Sequence, residues 1–230
     1  MNKEVRMLRY LLWDVDGILV DTEPLKFKAW QTLFTKFGKE LSLEEYIPLI
    51  GHGGRENMET LLAMKGVRKT YEETRPIYRN AYIELRSRGV PIFEENVRLV
   101  REFKEKFPEI VHAVVSSEKK TTIRENLRTA GFDENFFAAV ISYEDNPEMK
   151  RKPAPDMYLY ALEKISAAPT ECIAFEDTTS GIAAAADAGL FTVALPNKLT
   201  EAQDLLRAQL IILLGAPRKP TDIVAAFRRW

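Results

Sequence analysis

Residues 10–17 read Tyr-Leu-Leu-Trp-Asp-Val-Asp-Gly, an apolar run that ends in two acids and a glycine. Four consecutive apolar residues are typical of a strand buried in a parallel sheet. Because side chains alternate along an extended chain, Asp14 and Asp16 point the same way. Two carboxylates held that close repel each other unless a cation neutralises them, and Mg²⁺ is a hard cation that prefers oxygen ligands. The stretch therefore predicts a magnesium site that acts on phosphate.

Short apolar runs alternate with amphipathic helical segments along most of the chain. This alternation predicts an α/β protein with a central parallel sheet and helices on both of its faces. The predicted strands are 10–13, 111–115, 139–142, 172–175, 192–195 and 210–214, and the helices between them are 96–107, 120–130, 157–165 and 181–188.

Residues 23–88 break this alternation, because they carry helical patterns at 26–37, 54–64 and 71–86 and no strand signal. A helical block directly after the first strand predicts an inserted domain, with hinges at 20–22 and at 88–95. The predicted division is therefore a core made of residues 1–21 and 92–230, and a helical domain made of residues 22–91.

Composition narrows the class of partner. The 33 basic and 34 acidic residues give a net charge of -1, which does not attract nucleic acid or an anionic membrane.

The single cysteine, Cys172, excludes an internal disulfide and suits a reducing compartment. Residues 1–9 are charged, unlike a signal peptide, and the apolar run 210–214 is too short to cross a bilayer. We expect a soluble, cytoplasmic monomer that binds a small molecule.

Polar side chains follow several predicted strands at the point where each strand ends, and a lysine precedes the rigid Pro-Ala-Pro-Asp turn at 153–156. In an open α/β sheet, ligands bind at the carboxyl ends of the strands, so these side chains are expected to converge on one edge. They are Asp14, Asp16, Ser116, Ser117, Lys152, Glu176 and Asp177.

In identity and order, these residues resemble the four motifs of the haloacid dehalogenase (HAD) superfamily. The matching stretches are 14–23, Ser116, 152–156, and 175–177 with the small residues of 181–185. The helical insertion resembles the cap of the subgroup that contains β-phosphoglucomutase and many sugar-phosphate phosphatases. The resemblance implies a Rossmann-like core, an all-helical cap and Mg²⁺-dependent phosphoryl transfer.

The resemblance also assigns roles to the acids. Asp14 is the expected nucleophile, since a carboxylate can form an aspartyl-phosphate and split a difficult displacement into two steps. Asp16 would protonate the leaving group and then activate water, and its backbone carbonyl would bind the metal. Asp177 would bind Mg²⁺, and Glu176 would bind the metal or orient a water on it. For Glu176, an acid that simply favours a helix N-terminus is an equal alternative.

The remaining core candidates would hold the phosphoryl group. Lys152 offers a point charge to a phosphoryl oxygen and to Asp14, Ser116 offers its hydroxyl, and Ser117 a backbone N–H. Lys152 also belongs to the basic run 150–152, which can simply be solvated, and a pair of serines after a strand is commonly a helix cap. The order of the motifs favours the functional interpretation.

Three residues of the cap are candidates for substrate binding. The glycine-rich segment 51–56 exposes backbone N–H groups, and Arg55 within it could grip a second anion, which makes Arg55 the first candidate for substrate specificity. A flexible turn with a solvated arginine is equally compatible with this segment, and His52 could contact substrate or be exposed. The third candidate, Lys26, stands where the related mutases carry a histidine. Near Tyr78 those mutases carry a lysine, so both differences favour a phosphatase.

The sequence thus predicts a Mg²⁺-dependent phosphatase of a small phosphate monoester, expected to be a sugar phosphate. The alternatives are a β-phosphoglucomutase-like mutase, which would return the phosphoryl group to a sugar hydroxyl, and a binding protein that uses the Mg²⁺ site without catalysis. Three other features are predicted to belong to the core: His112, Cys172, and the pair Trp30 and Phe34, which lie one helical turn apart.

Overall fold

The computed structural model describes residues 6–133 and 135–230, which fall into two compact units. One unit ends at Val20 and resumes at Ile92; the other is Asp21–Pro91. These boundaries lie within one residue of the predicted division. The expectation about residues 1–9 falls largely on residues 1–5, which lie outside the described part of the chain.

The first unit is built on a six-stranded sheet in which every pairing is parallel. The first strand lies inside the sheet, with the second on one side and the fourth on the other, so the strand order reverses next to it. This confirms the predicted α/β class. In spatial order the strands are β3 (Ala139–Ser142), β2 (Val111–Ser116), β1 (Tyr10–Trp13), β4 (Cys172–Glu176), β5 (Phe191–Ala194) and β6 (Leu210–Ile211).

Five α-helices connect and cover the strands in the described part of this unit. Four of them lie where the sequence pattern predicts them. The fifth was not predicted, although it opens with proline at its first position and buries Ile223, Val224 and Phe227. Their bounds are α5 (Glu94–Lys106), α6 (Lys120–Thr129), α7 (Asp156–Lys164), α8 (Thr179–Asp187) and α9 (Pro220–Arg229).

The last strand is shorter than predicted. The apolar run 210–214 suggested five residues, but β6 covers only Leu210–Ile211. Leu213 and Leu214 are 62% and 45% exposed and follow the strand in a turn. An apolar run predicts a buried strand only where a neighbour covers it, and this one lies at the edge of the sheet.

Aromatic packing fills one side of the sheet. Trp13 stacks on Phe175 of the neighbouring strand, with ring centroids 3.8 Å apart, and meets Phe103 of α5 edge-on at 6.1 Å. His112 is buried beside them, 6.1 Å from Trp13 and 5.5 Å from Phe136, and neither ring nitrogen bonds to a described residue. The predictions of core positions for His112 and for Cys172 are confirmed.

All of the regular secondary structure in the described residues of the second unit is helical. Trp30 and Phe34 are buried as predicted, and the Trp30 ring lies 4.2 Å from that of Tyr78. The helices are α1 (Glu23–Thr35), α2 (Leu43–Tyr46), α3 (Gly54–Met64) and α4 (Tyr71–Ser87). Across both units, no described helix has the length and hydropathy needed to span a bilayer.

The burial of His112 has a consequence for acid stability. Burial lowers the pKa of His112 from its ordinary 6.5 to about 4. Between these two pH values, His112 is protonated in the unfolded chain and neutral in the folded chain. Its stabilising contribution is complete above pH 6.5 and is lost as the pH falls toward 4, by up to roughly 3 kcal/mol. We expect His112→Phe to shrink the loss of unfolding free energy over this window.

Urea denaturation at several pH values, followed by tryptophan fluorescence, measures this loss. The control is His52→Phe, which changes the exposed histidine of the helical unit. An equal loss in wild type and His112→Phe would contradict the assignment.

Candidate active site

Asp14 is fixed at the carboxyl end of β1, beside β4. Its backbone N–H donates to the carbonyl of Phe175 at 3.1 Å, which extends the parallel pairing one residue past the strand. The chain then turns sharply, because the Val15 carbonyl accepts the N–H groups of Leu19 at 2.8 Å and Val20 at 3.1 Å. Asp14 therefore lies where the strand order reverses, which is where open α/β sheets bind ligands.

Two features require glycine at position 17 of the first motif: its backbone conformation and the lack of space for a side chain. Gly17 has a φ of +87°, in the region that favours glycine. A Cβ atom built on Gly17 would lie 2.2 Å from Oδ2 of Asp177. The absence of a side chain at Gly17 thus lets the loop after β1 pack directly against the carboxylate that follows β4.

Lys152 joins the ends of three strands. Its ammonium lies 2.8 Å from Oδ1 of Asp14, 2.9 Å from the carbonyl oxygen of Val115 in β2, and 2.7 Å from Oε1 of Glu176 in β4. An ammonium has three donors, and each has an oxygen within hydrogen-bond distance. The side chain is only 7% exposed, so among residues 150–152 it is Lys152 that lies at the sheet edge.

Glu176 is buried and held by one of its two oxygens. Oε1 accepts from the Tyr158 hydroxyl at 2.5 Å in addition to its contact with Lys152. Oε2 is buried and receives no hydrogen bond from the described residues. A Cβ atom on Gly181 would lie 2.0 Å from Oε2, so glycine is needed there to leave room for the carboxylate.

Asp177 is held by a side chain that the sequence analysis missed. The amide of Asn197 donates to Oδ2 of Asp177 at 2.9 Å and reaches the carbonyl of Gly17 at 3.4 Å. Asn197 lies just after β5, so a search for polar residues beyond the fifth strand, like that made for the other strands, would have found it. Tyr158 gave no comparable signal, because a tyrosine on an amphipathic helix looks like core.

The other predicted core residues lie at neighbouring strand ends. Asp16 is half-buried, and Asn126 of α6 donates to its Oδ1 at 3.4 Å. Ser116 ends β2, where its hydroxyl accepts from the N–H of Glu118 at 3.2 Å. The Ser117 hydroxyl lies 3.6 Å from the Met157 sulfur. The Ser116 contact is that of a turn and the Ser117 contact is with α7, and a phosphate-binding role for either serine stays a prediction.

The electrostatics of the site are dominated by burial. Burial raises the pKa of Asp14 to about 7, helped by the charges of Glu176 and Asp16 and opposed by Lys152. Burial disfavours the charged form of Lys152, but the carboxylates of Asp14 and Glu176 outweigh it and raise the pKa of Lys152. Lys152 is therefore charged at neutral pH, whereas Asp14 needs further positive charge to be fully ionised.

Asp14, Glu176 and Asp177 fit a divalent cation. Each brings a carboxylate oxygen within 4.8 Å of the others, and all three residues are buried. Lys152 pairs with two of these three carboxyl groups, Asp14 and Glu176, so the group favours additional positive charge. The buried, unbonded Oε2 of Glu176 is a further acceptor. All these donors are oxygens, which is the ligand set that Mg²⁺ prefers. Asp16 contributes no side-chain oxygen to this group.

Lys26 belongs to a buried network within the helical unit. Its ammonium lies 2.8 Å from Oε1 of Glu23, and the other oxygen of Glu23 accepts from the Tyr46 hydroxyl at 2.6 Å. The Lys26 side chain is 19% exposed. A carboxylate held from the opposite side by a buried hydroxyl gives this lysine a defined position.

Arg55 already has anionic partners within the helical unit. Its guanidinium contacts Glu59 at 3.0 Å and Glu72 of α4, and lies 4.3 Å above the ring of Tyr71. His52 is exposed. To grip a phosphate, Arg55 would have to exchange these exposed carboxylates for it, and its role in substrate binding stays a prediction.

Proteins of known name are similar to this chain over most of its length. The chain is 27% identical over 217 residues to a phosphorylated carbohydrates phosphatase of Thermotoga maritima, covering 93% of this chain and 95% of that protein. It is 30% identical over 197 residues to the SUPPRESSOR OF QUENCHING 1 protein of Arabidopsis thaliana, covering 84% of this chain but only 18% of that protein.

The fold has solved counterparts as well. The crystal structure of a β-phosphoglucomutase from Clostridium difficile superimposes with a TM-score of 0.78 at 22% identity, covering 97% of this chain and 98% of that one. A family model described as haloacid dehalogenase-like hydrolase matches residues 11–195. The chain therefore belongs to the haloacid dehalogenase-like hydrolase family.

Proposed function

We propose that this hydrolase is a Mg²⁺-dependent phosphatase that cleaves a small phosphate monoester, a sugar phosphate, through an aspartyl-phosphate on Asp14. The observation that carries the proposal is the group formed by Asp14, Lys152, Glu176 and Asp177, buried together where the strand order reverses. The Lys152 ammonium, at 2.8 Å, fixes the Asp14 carboxylate in a position from which it can act as a nucleophile. A protein that only binds a cation would not require a nucleophile.

In the first step, a carboxylate oxygen of Asp14 attacks phosphorus. The new bond to Asp14 forms as the bond between phosphorus and the ester oxygen breaks. The departing oxygen takes the proton of the Asp16 carboxyl and leaves as the hydroxyl group of the free sugar. The Asn126 amide, 3.4 Å from Oδ1 of Asp16, helps to hold that carboxyl in place.

In the second step, a water molecule attacks the aspartyl-phosphate. Asp16, now a carboxylate, accepts a proton from the water as its oxygen bonds to phosphorus. The bond from phosphorus to Asp14 breaks, inorganic phosphate is released, and both acids return to their starting forms. Lys152 supports each step, since its charge offsets that of Asp14 and of the phosphoryl oxygens.

The metal would be held by Asp14 and Asp177, with Glu176 adjacent and the Asp16 carbonyl as a further ligand. A bound Mg²⁺ would favour the ionised form of Asp14 and neutralise phosphoryl oxygens. The Asn197 amide fixes Oδ2 of Asp177 at 2.9 Å, which orients the carboxylate for this task.

The substrate class is supported by the relative from Thermotoga maritima, which is named for its action on phosphorylated carbohydrates. Lys26, rather than the histidine of the related mutases, supports hydrolysis over transfer to a second sugar hydroxyl. We place the enzyme in the reducing cytoplasm, an assignment supported by the single cysteine, which is buried.

Phosphate release tests the chemistry. With Mg²⁺ and a panel of sugar monophosphates, we expect the wild type to release inorganic phosphate. Asp14→Asn should lower kcat by at least roughly a thousandfold, because the amide is a poor nucleophile. Acid-quenched wild type should carry hydroxylamine-labile phosphate from ³²P-labelled substrate, and Asp14→Asn should carry none.

The control for folding is thermal unfolding of Asp14→Asn, whose side chain has the same shape as aspartate. If the protein carries label but releases no phosphate, and the sugar phosphate is isomerised, the enzyme is a mutase and the phosphatase proposal is wrong. Absence of both label and turnover would favour a binding protein that uses the cation alone.

Substitutions of Lys26 and Arg55, the two cationic candidates of the helical unit, should have different effects on KM. We expect Lys26→Ala to raise KM about tenfold or more, since this lysine is fixed by Glu23 and little exposed. Arg55→Ala should change KM less than about twofold, because two carboxylates, Glu59 and Glu72, contact this guanidinium and a phosphate would meet net negative charge there. Steady-state kinetics on the best substrate measures both. The reverse ranking would make Arg55 the specificity residue.

A further inference from the structure

Tyr158 is a buried core residue whose hydroxyl reaches the site. It lies on α7, its side chain is fully buried, and its hydroxyl donates to Oε1 of Glu176 at 2.5 Å. The hydroxyl carries the proton of this bond, because a carboxylate oxygen can only accept.

Oε1 of Glu176 receives two donors from one short segment. Lys152 approaches it at 2.7 Å and Tyr158 at 2.5 Å, and the Lys152 ammonium lies 5.2 Å from the centre of the Tyr158 ring. A carboxylate bound twice through the same oxygen cannot rotate without losing both bonds. Its orientation is then fixed by residues 152–158, which run from the turn before α7 into the first turn of that helix.

The second oxygen of Glu176 is left in a defined place. Oε2 is buried, and no residue in the described ranges donates a hydrogen bond to it. It occupies the space that a Cβ atom on Gly181 would take, at 2.0 Å. If the carboxylate twisted about its Cγ–Cδ bond to an intermediate angle, neither oxygen would meet both Lys152 and Tyr158.

We propose that Tyr158 is a positioning residue, which with Lys152 holds Oε1 of Glu176 and so keeps the carboxylate of Glu176 oriented for the divalent cation. The inference rests on the proposed metal-dependent function. It adds a residue outside the acid and lysine set, and one that would act through Glu176 rather than by binding the cation itself. Loss of such an outer partner typically weakens metal binding by 10–100-fold.

A purely structural role predicts something different. In that case the hydroxyl of Tyr158 would only satisfy a buried group, and its removal would lower stability without changing cation affinity. The chain provides a matched comparison, because Tyr46 of the helical unit also donates to a carboxylate, Oε2 of Glu23, at 2.6 Å. Each Tyr→Phe change removes one hydroxyl-to-carboxylate bond and keeps the ring.

The test is calorimetric titration of Mn²⁺ into metal-free, full-length protein without substrate. We expect Tyr158→Phe to weaken Mn²⁺ binding about tenfold. Tyr46→Phe should bind Mn²⁺ as the wild type does, although thermal unfolding should show that both variants are folded and modestly less stable. Since Phe fills the same volume and leaves Lys152 on Oε1, Tyr158→Phe is expected to fold.

A double-mutant comparison shows whether Tyr158 acts through Glu176. In a Glu176→Ala background, Tyr158→Phe should cause no further change in Mn²⁺ affinity. Wild-type affinity in Tyr158→Phe, an equal loss in both backgrounds, or a Tyr158→Phe protein that fails to fold would each overturn the proposal. Phosphate release is measured separately, so failure of the positioning role is distinguishable from failure of the phosphatase.

Discussion

A buried ammonium on which three strand ends converge is the interaction on which this site depends. Lys152 contacts oxygens of Asp14, Val115 and Glu176, and so connects β1, β2 and β4. Burying a charge is costly unless it is paired and hydrogen-bonded, and burying neighbouring carboxylates is costly for the same reason. Each charge is tolerated because the other is present, so the group forms as a unit or not at all.

Space matters to the site as much as charge does. Gly17 and Gly181 have no side chain, and the carboxylates of Asp177 and Glu176 occupy the positions where one would be. A close approach of backbone to carboxylate keeps water out and leaves few alternative positions for the acid. The two motif glycines are therefore part of the chemistry of the site, through the volume that they leave empty.

Much of this arrangement follows from the sequence. Strands buried on both faces give continuous apolar runs, so five of the six strands are predicted to within a residue at each end. The edge strand β6 is overestimated because hydrophobicity does not reveal which residues a neighbour covers. Asp14, Lys152 and Asp177 follow from strand ends and motif order, which local sequence records.

Contacts between residues that are far apart in the sequence cannot be predicted from local sequence patterns. Nothing near Arg55 indicates that Glu72 of the next helix neutralises it. Nothing near Tyr158 indicates that its hydroxyl, rather than only its ring, has a partner in β4. Such contacts depend on how elements pack, and a pattern of polar and apolar residues specifies a face without specifying the atom met there.

The segment that leads into α7 also sets a limit on how this protein can vary. Lys152 and Tyr158 stand six residues apart, and both bind the same oxygen of Glu176. An insertion or deletion in the first turn of α7 would rotate Tyr158 by about 100°, and one in the turn before the helix would displace Lys152 relative to Tyr158, so either would carry one of the two away from that oxygen. This stretch should therefore tolerate exchange of residue types more readily than any change of length, and loop grafting in this protein has to leave its spacing intact.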